Sequence, residues 1–272
     1  MLLSHSGYIK DAWTCEILSK AGFSAIDMDD TTDPALFEGS LEDSCNAVRT
    51  LMQKAEDAGL LIRQCHAVMP FYTIDKTEQE IEDTICSIER CVRVTSALKI
   101  PYTVVHPFVY AWNAPDPTKD AYLWDLNTTY LKRICANAND TVLCLENLPR
   151  AGGFLKNGAQ MATMLEKVGD DRLMVCLDTG HLFSNGEPAS AFFAAVGDRI
   201  RVTHIHDTTP NADHHLPLYM GRMDIQNLKQ AIIDYGYTGD LDSESSFLRK
   251  LPPHLRTEGA ILERQLLETL VP

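Results

Sequence analysis

The devices that would place this sequence in a familiar class are mostly missing from it. No apolar run reaches the ~18 residues of a membrane span. The amino terminus carries no secretory pattern, because Ser4, His5 and Ser6 follow Met-Leu-Leu directly. No C-x-x-C pair occurs among the eight cysteines. Most of these (Cys15, Cys45, Cys65, Cys86, Cys91, Cys135, Cys144 and Cys176) fall in apolar runs or on apolar helix faces. They read as small buried hydrophobes of a reducing compartment, not as a disulfide framework. Lysine and arginine nowhere cluster, and 24 of them against 38 acidic residues leave a net charge of -14. That balance favours solubility and disfavours a polyanion such as DNA as partner. Neither G-x-G-x-x-G after the first strand nor G-x-x-x-x-G-K-[ST] is present, so the nucleotide-fold signatures are gone. A soluble, cytoplasmic protein without membrane attachment is the expectation.

What is present is regular. The 272 residues suffice for one large domain, and a (β/α)8 barrel takes roughly 250. Short apolar runs alternate with stretches of helical period. Strands are expected at 2–8, 25–28, 60–68, 102–106, 141–146, 173–178, 200–206 and 239–244. The first helix, 12–21, ends at Gly22 as its C-cap. Leu41, Cys45, Val48, Leu51, Met52 and Ala55 mark a second helix, ended by Gly59. Thr77 and Glu80 form a capping-box pattern before a third, whose buried face is Ile81, Ile85, Ile88 and Val92. Further helices are expected at 119–138, 161–168, 189–196, 225–235 and 255–270, with a long polar loop at 207–223. Eight strand–helix units of roughly thirty residues, joined by right-handed crossovers, close into a parallel barrel. The fold class is therefore α/β, a single (β/α)8 TIM barrel over residues 1–272, with an open doubly wound sheet as the competitor.

The chemistry sits at the ends of the late strands. Val175-Cys176-Leu177-Asp178 reads as a strand buried on both faces, closing in an Asp, a turn-forming Thr179-Gly180 pair and His181. Strand five ends in Glu146-Asn147, strand seven in His204-Ile205-His206-Asp207, and strand eight in Glu244. Strand C-termini share one rim of a barrel, where such enzymes keep their active sites. Taken singly, Glu146 reads as a helix cap or ion-pair partner, His204 as a core histidine and Asp178 as a turn cap. Together, two Glu, one Asp and one His would repel one another unless a cation neutralised them. That donor set suits a divalent ion of the Mg, Mn, Co or Zn group. His204 and His206, two apart on one strand, face the same side.

Leu145-Glu146-Asn147, Leu177-Asp178-Thr179-Gly180-His181, His204-Ile205-His206-Asp207 and the stretch from Gly236-Tyr237-Thr238-Gly239 to Glu244 resemble the xylose-isomerase-like TIM barrels. That superfamily holds sugar isomerases, ketose 3-epimerases, inosose dehydratases and metal-dependent apurinic endonucleases. The resemblance covers the whole chain and implies a metal shell of Glu146, Asp178, one strand-seven histidine and Glu244. The H-x-[HKN]-D pattern of several relatives points to His204, and the H-x-H pair of the ketose epimerases points to His206. It also implies that Glu146 and Glu244 are the catalytic proton shuttles and that His181 contacts substrate or a second metal. His66 and His106, at the ends of strands three and four, and the Asp213-x-His215 pair occupy places where the apurinic endonucleases hold three zinc ions. A second or third metal through His66, His106, His181, Asp213 and His215 follows from that likeness.

The activity so implied is a metal-dependent sugar isomerase or epimerase working through an enediolate. The alternatives are a lyase or dehydratase on a keto-polyol or sugar conjugate, and a multi-zinc phosphodiester hydrolase. The expected partner is a small sugar or polyol, bound by His66, His106, His181, His206, His215, Trp112 and Arg222. Phe108 and Tyr110 beside Trp112 are further candidates for the sugar's apolar face, and Arg150 with Arg222 for an anionic group. A homo-oligomer fits barrels of this type, which often pair.

Overall fold

At 143–145 and 175–177 a bulky aliphatic alternates with a cysteine, and the barrel wall explains why. Leu143, Leu145, Leu173, Val175, Leu177 and Ile205 point outward into the core shared with the helices. Val104, Cys144, Cys176 and Val202 point inward and form a separate apolar layer inside the barrel. Successive side chains of a strand face opposite sides, so the next inward position above that layer is the rim. There stand His106, Glu146, Asp178 and His204.

The computed structural model describes residues 1–70, 76–110, 116–149, 151, 153–210 and 212–272. Strands β1 (Leu3–Gly7), β2 (Ala25–Met28), β3 (Leu61–His66), β4 (Tyr102–Val105), β5 (Val142–Glu146), β6 (Leu173–Asp178), β7 (Ile200–Ile205) and β8 (Leu241–Ser243) pair in chain order. All pairs are parallel, and β8 returns to β1, closing the expected (β/α)8 barrel. The surrounding helices are α1 (Thr14–Ala21), α2 (Leu41–Asp57), α3 (Glu78–Ala97), α4 (Asp120–Cys135), α5 (Gly158–Val168), α6 (Thr179–Ser184), α7 (Ala189–Val196), α8 (Ile225–Asp234), α9 (Phe247–Lys250) and α10 (Arg256–Glu268). Gly22 ends α1 in the left-handed region at φ 84°. The Thr77–Glu80 box caps α3, whose Ile81, Ile85, Ile88 and Val92 are buried. No helix is long and apolar enough to cross a membrane, among the described residues. All eight cysteines are free, and six of them are buried.

Two differences from the sequence reading bear on the site. Thr179-Gly180 opens helix α6 instead of a simple turn, because the Asp178 carboxylate accepts the His181 N–H at 2.6 Å and caps the helix. Helix α9, directly after the last strand, has too little periodicity in four residues to be read from sequence.

The long loop after β7 is held by one side chain. Asp207 is buried, and its carboxylate accepts the backbone N–H groups of Thr208, Gly221 and Met223 at 2.8, 2.9 and 2.9 Å. Its own backbone pairs with Leu216 at 2.7 and 2.9 Å. Gly221 is required there, since a Cβ would lie 2.3 Å from Asp207 Oδ1. This clamp folds the loop back over the barrel and returns Asp213 and His215 to the mouth. Asp207→Ala leaves three N–H groups without their acceptor, each at about 1–3 kcal/mol when buried. It is expected to lower Tm and to raise hydrogen exchange of residues 208–223 selectively; unchanged exchange there would contradict the clamp.

Candidate metal centre and active-site cleft

Six of the nine histidines converge on the rim, together with Glu146, Asp178, Asp213 and Glu244. One ligand atom each from Glu146, Asp178, His204 and Glu244 lies within 4.8 Å of the others, a spacing fit for one ion. Glu146 also belongs to a nest with His66 and His106, and a further nest joins His181, His206, Asp213 and His215. The first pairing is tight: His106 Nε2 is 3.0 Å from Glu146 Oε2, and the His66 and His106 Nε2 atoms are 3.1 Å apart. Two imidazole nitrogens that close need one proton or one cation between them. In the other nest, His181 Nε2 is 3.3 Å from Asp213 Oδ2, and His215 Nε2 is 3.3 Å from Asp213 Oδ1.

The geometry separates the two strand-seven histidines. His204 Nε2 lies 3.0 Å from Asp27 Oδ2, an oxygen that also accepts from Gln64 Nε2 at 2.8 Å. Asp27 is thus an acceptor, which assigns a proton to His204 Nε2, so Nδ1 is the nitrogen whose lone pair becomes available to a cation once its own proton leaves. That Nδ1 is buried without a hydrogen-bond partner, 3.3 Å from Glu146 Oε2 and 3.6 Å from Glu244 Oε2. Glu244 Oε2 and Asp213 Oδ1 are likewise buried and make no hydrogen bond, though His215 nitrogens stand 3.7 and 3.3 Å from them. Protons on the imidazoles balance these carboxylates, and a divalent ion is the group that could replace those protons and satisfy the ligand atoms together. His206, expected to contact substrate, is fully buried and lines neither cavity at the mouth: its Nε2 is 3.0 Å from Asp178 Oδ2 and its ring stacks on His215 at 4.0 Å. Gly180 admits that ring, since a Cβ there would lie 2.0 Å from His206 Cε1. The four-residue shell that uses His204 is completed through Nδ1, and His206 sits beside it.

Electrostatics follow this packing. Burial pushes the Glu146 carboxyl up, but His106 and His204 outweigh it and hold Glu146 well below the usual range. Burial raises Glu244, against His204 and His215. Burial works against the charged imidazole of His215, yet Glu244 and Asp213 lift it to about 10. His181 and His204 are likewise raised well above normal, against burial, by the carboxylates and, for His204, Cys176. Protons therefore occupy the cluster when no cation does.

The rim opens into a cavity of about 290 Å³ lined by His66, His106, Glu146, His181, Asp213, His215 and Glu244. Its remaining wall includes Tyr8, Asp29, Met69, Pro107 and Leu148. Several expected substrate contacts fall elsewhere. Arg222 is exposed and lines neither this cavity nor its neighbour, because the Asp207 clamp turns that end of the loop outward. Phe108 is fully buried edge-on to Tyr130, as core. Tyr110 is buried and does not line this cavity. Trp112 and Arg150 lie outside the described residues. Sequence reasoning missed Asp27, Asp29, Tyr8 and Arg249. In sequence Asp29 was legible only as one of the two acidic residues, with Asp30, that close β2, and Asp27 lay unmarked within the strand. Burial, then Asp27 and Glu244, push Asp29 up to about 7.

Two expectations follow for a cation at the four-residue shell. Asp27→Ala removes the acceptor that fixes the His204 ring, and loss of such a partner typically costs about 10–100-fold in metal affinity. Competition titration with a chromophoric chelator measures this; equal affinity in the variant would contradict the assigned tautomer. Because His181, His204 and His215 hold protons through neutral pH, metal uptake must release protons, and affinity must fall as pH falls from 9 to 6. Calorimetry in buffers of different ionisation enthalpy reads that release directly, and zero release would contradict the electrostatic description.

Residues 15–257 match the family described as xylose isomerase-like TIM barrel. Endonuclease 4 of Thermus thermophilus is 30% identical over 166 residues, 56% of this chain and 57% of that protein, so the match spans little more than half of that relative. Fructoselysine 3-epimerase of Escherichia coli O157:H7 is 25% identical over 195 residues, 71% of this chain and 70% of its own length. Among solved structures, D-psicose 3-epimerase superposes with a TM-score of 0.79 at 17% identity, over 100% of this chain and 99% of the other. A putative xylose isomerase of Rhodospirillum rubrum gives 0.82 at 18% identity, with 100% of both chains covered. At these identities the structural likenesses establish the fold. With strand order, rim and the match over 15–257 in agreement, the chain belongs to the xylose isomerase-like TIM barrel family.

Proposed function

We propose that this protein is a divalent-metal-dependent epimerase or isomerase of a keto sugar. One observation carries the reading. Two carboxylates from strands on different sides of the barrel, Glu146 and Glu244, reach within 4.8 Å of each other beside Asp178 and His204. They do so in a cavity of about 290 Å³, the size of a monosaccharide site, not of a duplex groove. The relatives named for ketose 3-epimerisation support it, as does the scarcity of basic residues around the mouth. Arg249 alone among the described Lys and Arg lines either adjoining cavity.

Glu146, Asp178, His204 Nδ1 and Glu244 would hold the ion. When bound, it supplies Lewis-acid polarisation of the substrate carbonyl and its neighbouring hydroxyl, making the adjacent C–H acidic. One of the two glutamates takes that proton, and the electron pair moves into the carbonyl to leave an enediolate. The other glutamate returns a proton. Return to the opposite face of the same carbon inverts it, giving an epimer; return to the former carbonyl carbon gives the isomer. His181 Nδ1, 3.3 Å from Glu146 Oε1, and His106 orient the first carboxylate. His215 is tied to the Glu244 carbonyl at 2.8 Å and orients the second. Pro107, Leu148 and Met69 keep water from the reacting carbon.

A second reading, a multi-zinc hydrolase of a phosphate ester, is favoured by one observation: the two extra nests, His66–His106–Glu146 and His181–His206–Asp213–His215. Metal analysis separates the two. One tightly held Mn, Mg or Co per chain accords with the epimerase, and three Zn accord with the hydrolase. The direct test is deuterium uptake from heavy water into a panel of ketoses, with and without chelator. Exchange should stop with chelator, and Glu244→Gln should lower it by about 10²–10⁴-fold without loss of fold. Exchange that survives both would remove Glu244 and the metal from the mechanism.

A further inference from the structure

A second cavity of about 180 Å³ adjoins the first. The two share Tyr8, Asp29, His215 and Glu244, so they meet at one of the two proposed proton carriers. The walls of this annex are of another kind. Trp13 gives it an aromatic side, and Thr14, Ser245 and Ser246 give it hydroxyls. The Thr14 hydroxyl is buried with no hydrogen-bond partner. Arg249 supplies the positive charge. Its guanidinium lies over the Tyr8 ring at 4.6 Å and makes a single long hydrogen bond, 3.4 Å, to Asp29 Oδ2. A guanidinium carries five N–H donors, so most of this fork remains available to a ligand.

The surroundings hold this wall firmly. His5 Nε2 is 2.8 Å from Glu263, which also accepts the Ser245 hydroxyl, all three groups being buried. The Ser246 N–H donates to the His215 carbonyl at 2.9 Å, linking the annex to the proposed catalytic rim. Asp29 opposes Arg249 through a single oxygen at 3.4 Å. Loops after the last strands are also where barrels often receive anionic groups.

We infer that the annex is a specificity subsite for an anionic substituent of the substrate, a phosphate or carboxylate carried on the ketose chain and gripped by Arg249. The inference rests on the keto-sugar reading above and narrows it to ketoses with a charged terminus. A free ketose fills the larger cavity and leaves the guanidinium fork and the Thr14 hydroxyl without partners. An anionic tail engages both and fixes the reacting carbon between the two glutamates.

The test compares D-fructose, D-fructose 6-phosphate and D-fructuronate. Solvent-deuterium exchange gives kcat/KM, and calorimetry gives binding independently of turnover. One of the two anionic ketoses should exceed the free sugar by about tenfold or more, and which one does so identifies phosphate or carboxylate as the group. Arg249→Met should cut that preference by about 10–100-fold, the worth of charged hydrogen bonds. Arg249→Lys, which keeps the charge but loses the fork, should restore part of it. Equal kcat/KM for free and anionic ketoses, with a ratio unmoved in Arg249→Met, would overturn the subsite and leave the epimerase reading standing. Should no sugar exchange deuterium, the epimerase reading fails and calorimetry decides the subsite. Anionic-ketose binding lost in Arg249→Met upholds the subsite, and equal or absent binding in both proteins overturns it.

Discussion

Crowding of carboxylates and imidazoles at the barrel mouth is the constraint on which the rest of this structure depends. Glu146 and Asp178 are fully buried, Glu244 is partly so, and His204 Nδ1 faces Glu146 and Glu244. Such an arrangement is costly for a protein that only has to fold, because charged groups drawn out of water forfeit their hydration. It becomes favourable when a doubly charged ion completes it. The rim therefore has the character of a functional site held against the stability of the barrel.

The neighbouring structure keeps these groups in place. Asp27 and Gln64, inside the barrel below the mouth, set the orientation of His204. Asn147 exchanges two hydrogen bonds with the Asp178 backbone, at 2.9 Å each, and so couples the ends of β5 and β6. Asp207 brings back the loop that carries Asp213 and His215. The strands themselves are rigid, because both of their faces are packed. A site assembled from strand ends inherits that rigidity, which the proposed proton transfer by two fixed carboxylates would demand.

Much of this was legible in the sequence, and the reason is physical. Parallel barrel strands are buried on both sides, so each appears as an apolar run, and a charged residue closing the run can only be at the rim. Glu146, Asp178, His204 and Glu244 stood out in that way, and the structure brings them together. The strand order followed from the eight-fold alternation. Other features depended on contacts between residues far apart in the chain. Asp27 gains its meaning from His204, 177 positions away. Arg249 gains its place from Asp29 and Tyr8, more than two hundred residues earlier. Arg222 stood out in sequence as a candidate for an anionic group, and only the Asp207 clamp shows that it faces outward. Helix α6 was hidden because Thr-Gly after a strand is a turn signal, whereas the Asp178 side chain converts it into a capped helix start.

The central claim, that the rim is built to hold a divalent ion, is tested most directly by anomalous diffraction from crystals grown with Mn²⁺ or Co²⁺. A peak at the metal edge bounded by Glu146, Asp178, His204 Nδ1 and Glu244 is expected. An empty map at that position, with both metals and at neutral pH, would contradict it.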